Sequence, residues 1–407
     1  MDTGCPLFKQ ATTNTAKVQY HFVIIGSGWR AQYYVRIANA LPEVFELCAM
    51  YCRTEEKAAQ IAAEYNIHTT TSMEECLSLQ PDFVVVAVTK TAIADVSMEW
   101  LRRGFTVLCE TPVAVDLETL KRICRYTGTA FPSNSKQNNL PDISGQGSMS
   151  NSCPQAVSPS SGEPKLVVAE QYQFYPEYIA LQRLLEKGLI GAPNFLTLSA
   201  AHDYHAASLM RAFLGVSADT DFTVTAKTFS FPTVETLTRY EHHTDGRIAD
   251  KKRTLAVFTF ADGKTAFYDF DSEQYRSPIR GNWIKIQGCR GEIMNQHVNY
   301  LDRHNQPISS DLVIESRQLE TESTNPNFHT VREITRITFE GEPLYTPEFG
   351  LCGLPQDETA IAHLMKQTAE YARGNAGSPY TLREAIQDAY MGILLRQADK
   401  IGVTVES

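Results

Sequence analysis

YHFVIIGSGWRA, residues 20–31, is an apolar, β-rich run that ends on a glycine and opens into a helical pattern. Its second half, Gly26-Ser27-Gly28-Trp29-Arg30-Ala31, has the form G-x-G-x-x-A. Between a strand and a helix, the first glycine of such a turn allows the sharp bend. The second lets a diphosphate approach the backbone, and the small residue at the end lets the helix pack closely. The helix start adds free N–H groups and the positive end of the helix dipole, a natural anion site. The motif is weak by itself, because glycines close many strands, so its neighbours have to decide.

Working outward, those neighbours alternate. Residues 27–41, SGWRAQYYVRIANAL, have a helical pattern that Pro42 stops, and FELCAMYC (45–52) is a second strand. TEEKAAQIAAEYN follows as a helix with Thr54 as its cap. DFVVVAV (82–88) is a third strand and IADVSMEWLRRG a helix ending at Gly104. FTVLCE (105–110) is a fourth strand and DLETLKRICRYTG (116–128) another helix. Strands and helices at this spacing predict βαβ crossovers and a parallel sheet.

Residues 132–164 are rich in Ser, Pro, Asn and Gly and too poor in apolar surface to order themselves. Order resumes with the strand KLVVAEQYQF (165–174) and a helix that starts at Pro176. TLAVFTFADGKTAFYDFD has two β-rich runs around Asp262-Gly263, a hairpin signal. NWIKIQGCRGEIM is a further strand region, and two amphipathic helices close the chain. The expected fold is an α/β Rossmann domain with a parallel sheet, then an α+β domain with a large open, mostly antiparallel sheet. The expected boundaries are a tail at 1–19, the NAD(P)-binding Rossmann domain at 20–130 and a disordered insertion at 131–164. A second domain then spans 165–407.

The bulk numbers agree. A chain of 407 residues suits two domains, and 43% hydrophobic with 21% charged residues is the balance of a globular protein. A net charge of −10 argues against nucleic acid or an anionic membrane as partner, since both need clustered Lys and Arg. The longest apolar runs have strand length, and the N-terminus lacks a signal-peptide pattern. Nine scattered cysteines without a CxxC pair point to a reduced, cytoplasmic setting.

The end of the second strand chooses the cofactor. NAD sites place an acid there to grip the ribose hydroxyls. This chain has Tyr51-Cys52-Arg53-Thr54 instead. Arg53 can pair with a 2′-phosphate and Thr54 can add a hydroxyl, which favours NADP(H), with NAD(H) as the alternative. The competing reading makes Arg53 a solvated surface residue.

GSGWRA, CRTEEKAAQIAAEYNI and VLCETPVA, with AEQYQFYPEYIALQRLLEKGLIGAPNFL, HDYHAASLMRAFLGV and LREAIQDAY in the second half, resemble the Gfo/Idh/MocA family of glucose–fructose oxidoreductase and inositol dehydrogenase relatives. The resemblance covers nearly the whole chain outside its first residues and the Ser-rich insertion. It implies a hydride passed between nicotinamide and a carbinol carbon of a sugar, polyol or related carbonyl compound, with a nearby base moving the hydroxyl proton. It implies no metal, and it makes 165–407 the substrate and oligomerisation domain, with its last helices packing back toward the first domain. Burial of the open sheet face makes a homodimer or homotetramer the expectation.

The pattern also breaks. Where the family has Glu-Lys-Pro, this chain has Glu110-Thr111-Pro112, and a threonine hydroxyl is no base near neutral pH. In place of the family's Asn-x-x-His stands Thr89-Lys90-Thr91-Ala92-Ile93. His205, ten residues before Gly215, matches the family's active-site histidine; the acid usual four residues upstream is Ala201, while Asp203 stands two residues away. His205 is therefore the first candidate for proton transfer, since histidine titrates near working pH. Lys90, as a desolvated lysine, is the second, with Asp203 and Tyr172 beside them. The alternative for His202-Asp203-Tyr204-His205 is a polar helix mouth with Asp203 as cap.

Gly26, Ser27, Gly28, Trp29, Arg30, Arg53, Thr54, Val88, Thr89, Glu110, Thr111 and Gln171 are the expected cofactor residues. Gln171 aligns with a frequent asparagine of the family. His202, Tyr204, Arg280 and Asn282 are the expected substrate contacts. Two other functions fit the same resemblance: a nicotinamide-dependent glycoside-cleaving enzyme, and a non-catalytic dinucleotide-binding protein.

Overall fold

Phe22 to Ile25 are almost wholly apolar and buried on both sides, which is what a central parallel strand requires. In the computed structural model, which describes residues 19–132, 165–238, 241–321, 330–402 and 404–406, this run is β1 (Tyr20–Ile25). The expected disordered insertion lies outside the described residues, apart from Phe131 and Pro132 at its start. Around β1 the chain winds α1 (Ala31–Ala40), β2 (Phe45–Tyr51), α2 (Glu55–Tyr65), β3 (Thr69–Thr70) and α3 (Met73–Ser78). It continues with β4 (Phe83–Val86), α4 (Ile93–Arg102), β5 (Thr106–Cys109), α5 (Leu117–Thr127) and β6 (Leu166–Val168). The sheet order is β3-β2-β1-β4-β5-β6, parallel throughout. This is the doubly wound dinucleotide-binding order, in which ligands sit outside the carboxyl ends of β1 and β4. Its last strand comes from beyond the insertion, within the stretch that the sequence assigns to the second domain.

The rest of the chain contributes α6 (Pro176–Glu186), β7 (Pro193–Ser199), α7 (Asp203–Leu214), β8 (Phe222–Val234), β9 (Ile248–Phe260) and β10 (Thr265–Asp271). Then come β11 (Trp283–Gly288), β12 (Gly291–Met294), β13 (His297–Leu301), β14 (Pro307–Glu320), β15 (Thr330–Phe339) and β16 (Glu342–Tyr345). α8 (Gln356–Ala372), α9 (Leu382–Ile401) and β17 (Val405–Glu406) complete it. Eleven of these strands form one sheet, antiparallel except where β10 runs beside β7. The architecture is the α/β-then-α+β arrangement expected from the sequence.

Strand alternation divides the core. Phe22 and Ile24 face α1 and also α8, whose Ile361, Leu364 and Met365 come from the far end of the chain. Val23 and Ile25 face α4 and α5, in a cluster continuous with the helix-covered face of the large sheet. α8 thereby carries Asp357 and Glu358 to α1, where Arg36 pairs with Glu358 and Arg30 with Asp357. α7 is pinned to α9 by a buried fork: Arg211 Nε donates to Asp388 Oδ1 at 2.6 Å and Nη2 to Oδ2 at 3.1 Å. A bidentate guanidinium–carboxylate pair fixes orientation as well as contact. It therefore sets where the start of α7, with its histidines, stands.

Candidate active site

The glycine turn has the geometry of a phosphate cradle. Gly26 has φ +116°, and a Cβ there would stand 2.4 Å from the carbonyl oxygen of Ala87 at the end of β4. Only glycine allows that approach of the two strand ends. A Cβ on Gly28 meets nothing within 4 Å, so its backbone faces open space. No side chain caps α1 and no acid lies in its first turn, so its N-terminus keeps free capacity for an anion.

Arg30 does not face that anion site. Its Nε donates to Glu110 Oε1 at 2.9 Å and its Nη1 to Asp357 Oδ2 at 3.0 Å, and the guanidinium lies over the Tyr33 ring. Tyr34 also donates to Glu110 Oε1, at 2.7 Å. The expected roles of Arg30 and Glu110 in cofactor binding thus change: Glu110 is taken up by Arg30 and Tyr34, and Arg30 keeps only Nη2 unpaired. Burial disfavours charge on Asp357, yet Arg30 and hydrogen bonds from Gln171 and Tyr175 outweigh it and hold the carboxyl below its usual value. Two buried polar atoms beside Asp357 have no partner, Arg30 Nη2 and Gln171 Oε1. A nicotinamide cofactor brings both donors and acceptors, and the open face of Gly28, the uncapped α1 and these two orphans together fit such a group.

At the end of β2, Thr54 caps α2 by accepting from the Lys57 N–H at 3.3 Å, as the sequence predicts. Arg53 beside it is exposed. Val88 is half-buried against Gly26, and Thr89 is exposed, 3.4 Å from the Thr91 hydroxyl. Trp29 packs edge-on to Tyr33. Ser27 shares a hydrogen bond with buried Cys52, which ties the turn to the end of β2.

On the other side of the cleft, aromatic and imidazole rings crowd together. Tyr172 lies 4.5 Å from His205, and Tyr204 lies 4.3 Å from it, centroid to centroid. His202 places Nδ1 2.5 Å from the Tyr275 hydroxyl and Nε2 3.3 Å from that of Tyr204. The Tyr204 hydroxyl also bonds Thr111, so the residue standing in place of the family's lysine joins this network. Burial first, and then Glu170, Tyr275 and Glu110, holds the Tyr204 hydroxyl protonated well above its usual range, against the Thr111 hydrogen bond.

His205 departs from the sequence-based expectation. Burial, with the charge of Arg30 adding, pushes its pKa down to about 3, so it does not titrate near neutrality as a free imidazole would. Its acid is not Asp203. Residues two apart on a helix point to different sides, and Asp203 instead pairs with Arg396 of α9 at 2.7 Å. Nor does Asp203 cap α7, since His202 occupies that position. The carboxyl that meets His205 is Glu170, Oε2 to Nδ1 2.5 Å. Glu170 is 2% exposed, and burial, then Asp388, pushes its pKa well above the carboxylate range.

Lys90 is exposed rather than desolvated, with its ammonium 5.9 Å from the centre of the Tyr204 ring. Arg280 and Asn282 are not brought to this site. Tyr268 of β10 reaches the backbone of Asp203, so Asp269 and Asp271, of opposite parity, face away from α7. Arg280 joins that other face, donating to Thr233 and lying 3.7 Å from Asp271. It lines a polar cavity of about 270 Å³ with Arg253, Asp269 and Trp283, and Asn282 is exposed.

Sequence reasoning missed Glu170, Tyr34, Tyr175, Tyr275 and Asp357. Glu170 had a signal: it stands two residues after the end of β6, at the carboxyl edge where doubly wound sheets bind ligands. Asp357 had none, because nothing local to it marks contact with residue 30.

Three solved structures share this fold along nearly their whole length. A myo-inositol dehydrogenase from Corynebacterium glutamicum is 13% identical, with 96% of this chain and 99% of that one covered and a TM-score of 0.56. The scyllo-inositol dehydrogenase from Lactobacillus casei is 12% identical, with 96% and 98% covered and a TM-score of 0.57. An oxidoreductase from Agrobacterium radiobacter, solved with NAD+, L-tartaric acid and magnesium, is 13% identical, with 96% and 98% covered and a TM-score of 0.58. Comparison with curated protein sequences gives no match. Residues 20–129 match the Gfo/Idh/MocA family, described as an oxidoreductase family with an NAD-binding Rossmann fold. The glycine cradle of β1 and α1 lies within the part of the chain that matches this oxidoreductase family.

Proposed function

We propose that this chain is an NAD(P)-dependent oxidoreductase acting on the CH–OH group, or the corresponding carbonyl, of a sugar or polyol, with NADP(H) as the preferred cofactor. The observation that carries the reading is a dinucleotide cradle in the first domain together with the His202–Tyr204–His205–Tyr172 ring cluster, which Thr111 and Lys90 from the same domain meet at Tyr204. The inositols named for two structural neighbours are polyols, the same substrate class.

The N-terminus of α1 and the open backbone of Gly28 hold the diphosphate. Arg53, exposed where an NAD site would carry an acid, meets the 2′-phosphate. Gln171 Oε1 and Arg30 Nη2 are free to take polar groups of the cofactor. The bound nicotinamide supplies hydride acceptance or donation. His205 holds or releases the proton at the substrate oxygen. Tyr204 and His202, locked by Thr111 and Tyr275, orient the hydroxyl groups beside it. The surrounding buried rings keep water from the reacting carbon.

Calorimetry with NADP(H) and NAD(H), followed by a panel of sugars and polyols read at the nicotinamide absorbance band, tests this reading. Binding of NADP(H) with turnover of at least one polyol is the expected result. No uptake of either dinucleotide would end it.

A further inference from the structure

We propose that Glu170 and His205 act as one proton-holding pair, in which His205 Nε2 meets the substrate oxygen and Glu170 is the positioning residue that orients the ring and stores its proton. The inference rests on the oxidoreductase reading above.

Its basis is geometric. Glu170 Oε2 and His205 Nδ1 lie 2.5 Å apart, and both residues are at most 5% exposed. The other carboxyl oxygen accepts the Tyr172 N–H at 3.2 Å, which fixes the carboxyl plane. The His205 ring is wedged between Tyr172 and Tyr204, so it has one orientation. Its second nitrogen, Nε2, has no hydrogen bond among the described residues and is the edge left for a substrate. A lone buried carboxylate is costly, and so is a lone imidazolium, but a carboxyl and an imidazole with one proton between them and a second on Nε2 bury no net charge. The shifts agree: burial pushes Glu170 up and His205 down, which leaves the shared proton on the pair at neutral pH. The charged groups that act on the pair are Arg30, Lys90, Asp203, Asp357 and Asp388, and the His202 ring lies 4.9 Å from that of His205.

In the oxidising direction the pair first gives its stored proton to solvent, and so starts as Glu170 carboxylate with Nδ1–H and a free lone pair on Nε2. The carbinol O–H proton moves to Nε2, and the Nδ1 proton moves to Glu170 Oε2. The electron pair of the O–H bond forms the C=O bond, while the hydrogen of the C–H bond departs with its pair as hydride to a nicotinamide dinucleotide. The pair ends neutral, one proton richer, and reduction runs the same steps backwards.

The test uses the full chain with 15N-labelled histidine. One imidazole, identified by its loss in H205N, is expected to stay untitrated from pH 5 to 8 with a strongly hydrogen-bonded Nδ1, and E170Q should abolish that Nδ1 signature. With a turned-over polyol, E170Q should lower kcat about a hundredfold while the KM and the dinucleotide Kd stay within twofold. It should also remove the limb on which oxidation speeds up as pH rises, since no carboxyl remains to lose the stored proton. E170D should recover part of kcat and the limb. If E170Q does not fold, E170D and the wild-type spectra still decide. An ordinary titration of His205 near 6.5, or an E170Q or E170D enzyme with the wild-type rate and pH profile, would overturn the pair. Those outcomes leave dinucleotide binding intact, whereas absent dinucleotide binding strikes the oxidoreductase reading itself.

Discussion

Glu170 and His205 stand 2.5 Å apart although 35 residues separate them in the chain. One stands just beyond the last strand of the parallel sheet, and the other lies in the first turn of the helix that follows the first strand of the second sheet. The acid that a linear pattern seeks near position 201 is thus supplied from a different element, and the histidine's chemistry follows from that partner.

Replacing His205 by alanine is expected to lower turnover by roughly a hundredfold or more, the usual worth of a placed acid–base group. NADP(H) affinity should stay within twofold, because the cradle lies on β1 and α1. Steady-state rates and calorimetry on the same variant check this; an unimpaired rate refutes the assignment.

Arg53→Ala should weaken NADP(H) binding by about tenfold, one charge-assisted phosphate contact's worth, and leave NAD(H) nearly unchanged. Equal losses for both cofactors would remove the basis for the preference.

The two glycines of the turn should separate stability from binding. Gly26→Ala sets a Cβ 2.4 Å from the Ala87 oxygen at φ +116° and should cost roughly 2 kcal/mol of stability or more. Gly28→Ala meets no protein atom, so its melting temperature should hold while dinucleotide affinity drops at least tenfold, the methyl occupying the space of the diphosphate. Thermal melts and calorimetry on both variants check the contrast, and a Gly28→Ala protein with wild-type affinity would contradict it.

His202 should leave a mark on acid stability. Burial, and then His205, pushes its pKa down to about 3. The unfolded chain binds its proton near 6.5 and the folded chain does not, so stability is retained above 6.5 and lost as pH falls. Each pH unit below 6.5 should cost about 1.4 kcal/mol from this one group. Urea unfolding of H202N at pH 7.5 and 5 should show a smaller acid loss than wild type. Identical losses would mean that His202 titrates normally in the fold.

The first domain was legible in the sequence because its signals are local. Apolar runs of strand length, Gly26 at the turn, Thr54 as a cap and Gly128 as a left-handed helix end depend on residues a few positions away. The histidine cluster was legible in part, since four polar residues sit together in one helix start. Its side-chain directions were not, because Asp203 and His205 leave α7 on different sides.

By itself the sequence determined the parallel βα winding, the place of the anion turn and the presence of imidazoles at the second domain's edge. Tertiary structure alone decided which carboxyl serves His205, that Arg30 is held by Glu110 and Asp357, and that Arg280 lies on the far face of the sheet. The reason is physical. Backbone pattern is written in spacings of two to four residues, but a site's pairings are made by chain segments tens to hundreds of residues apart, brought together only when both sheets and α8 have packed.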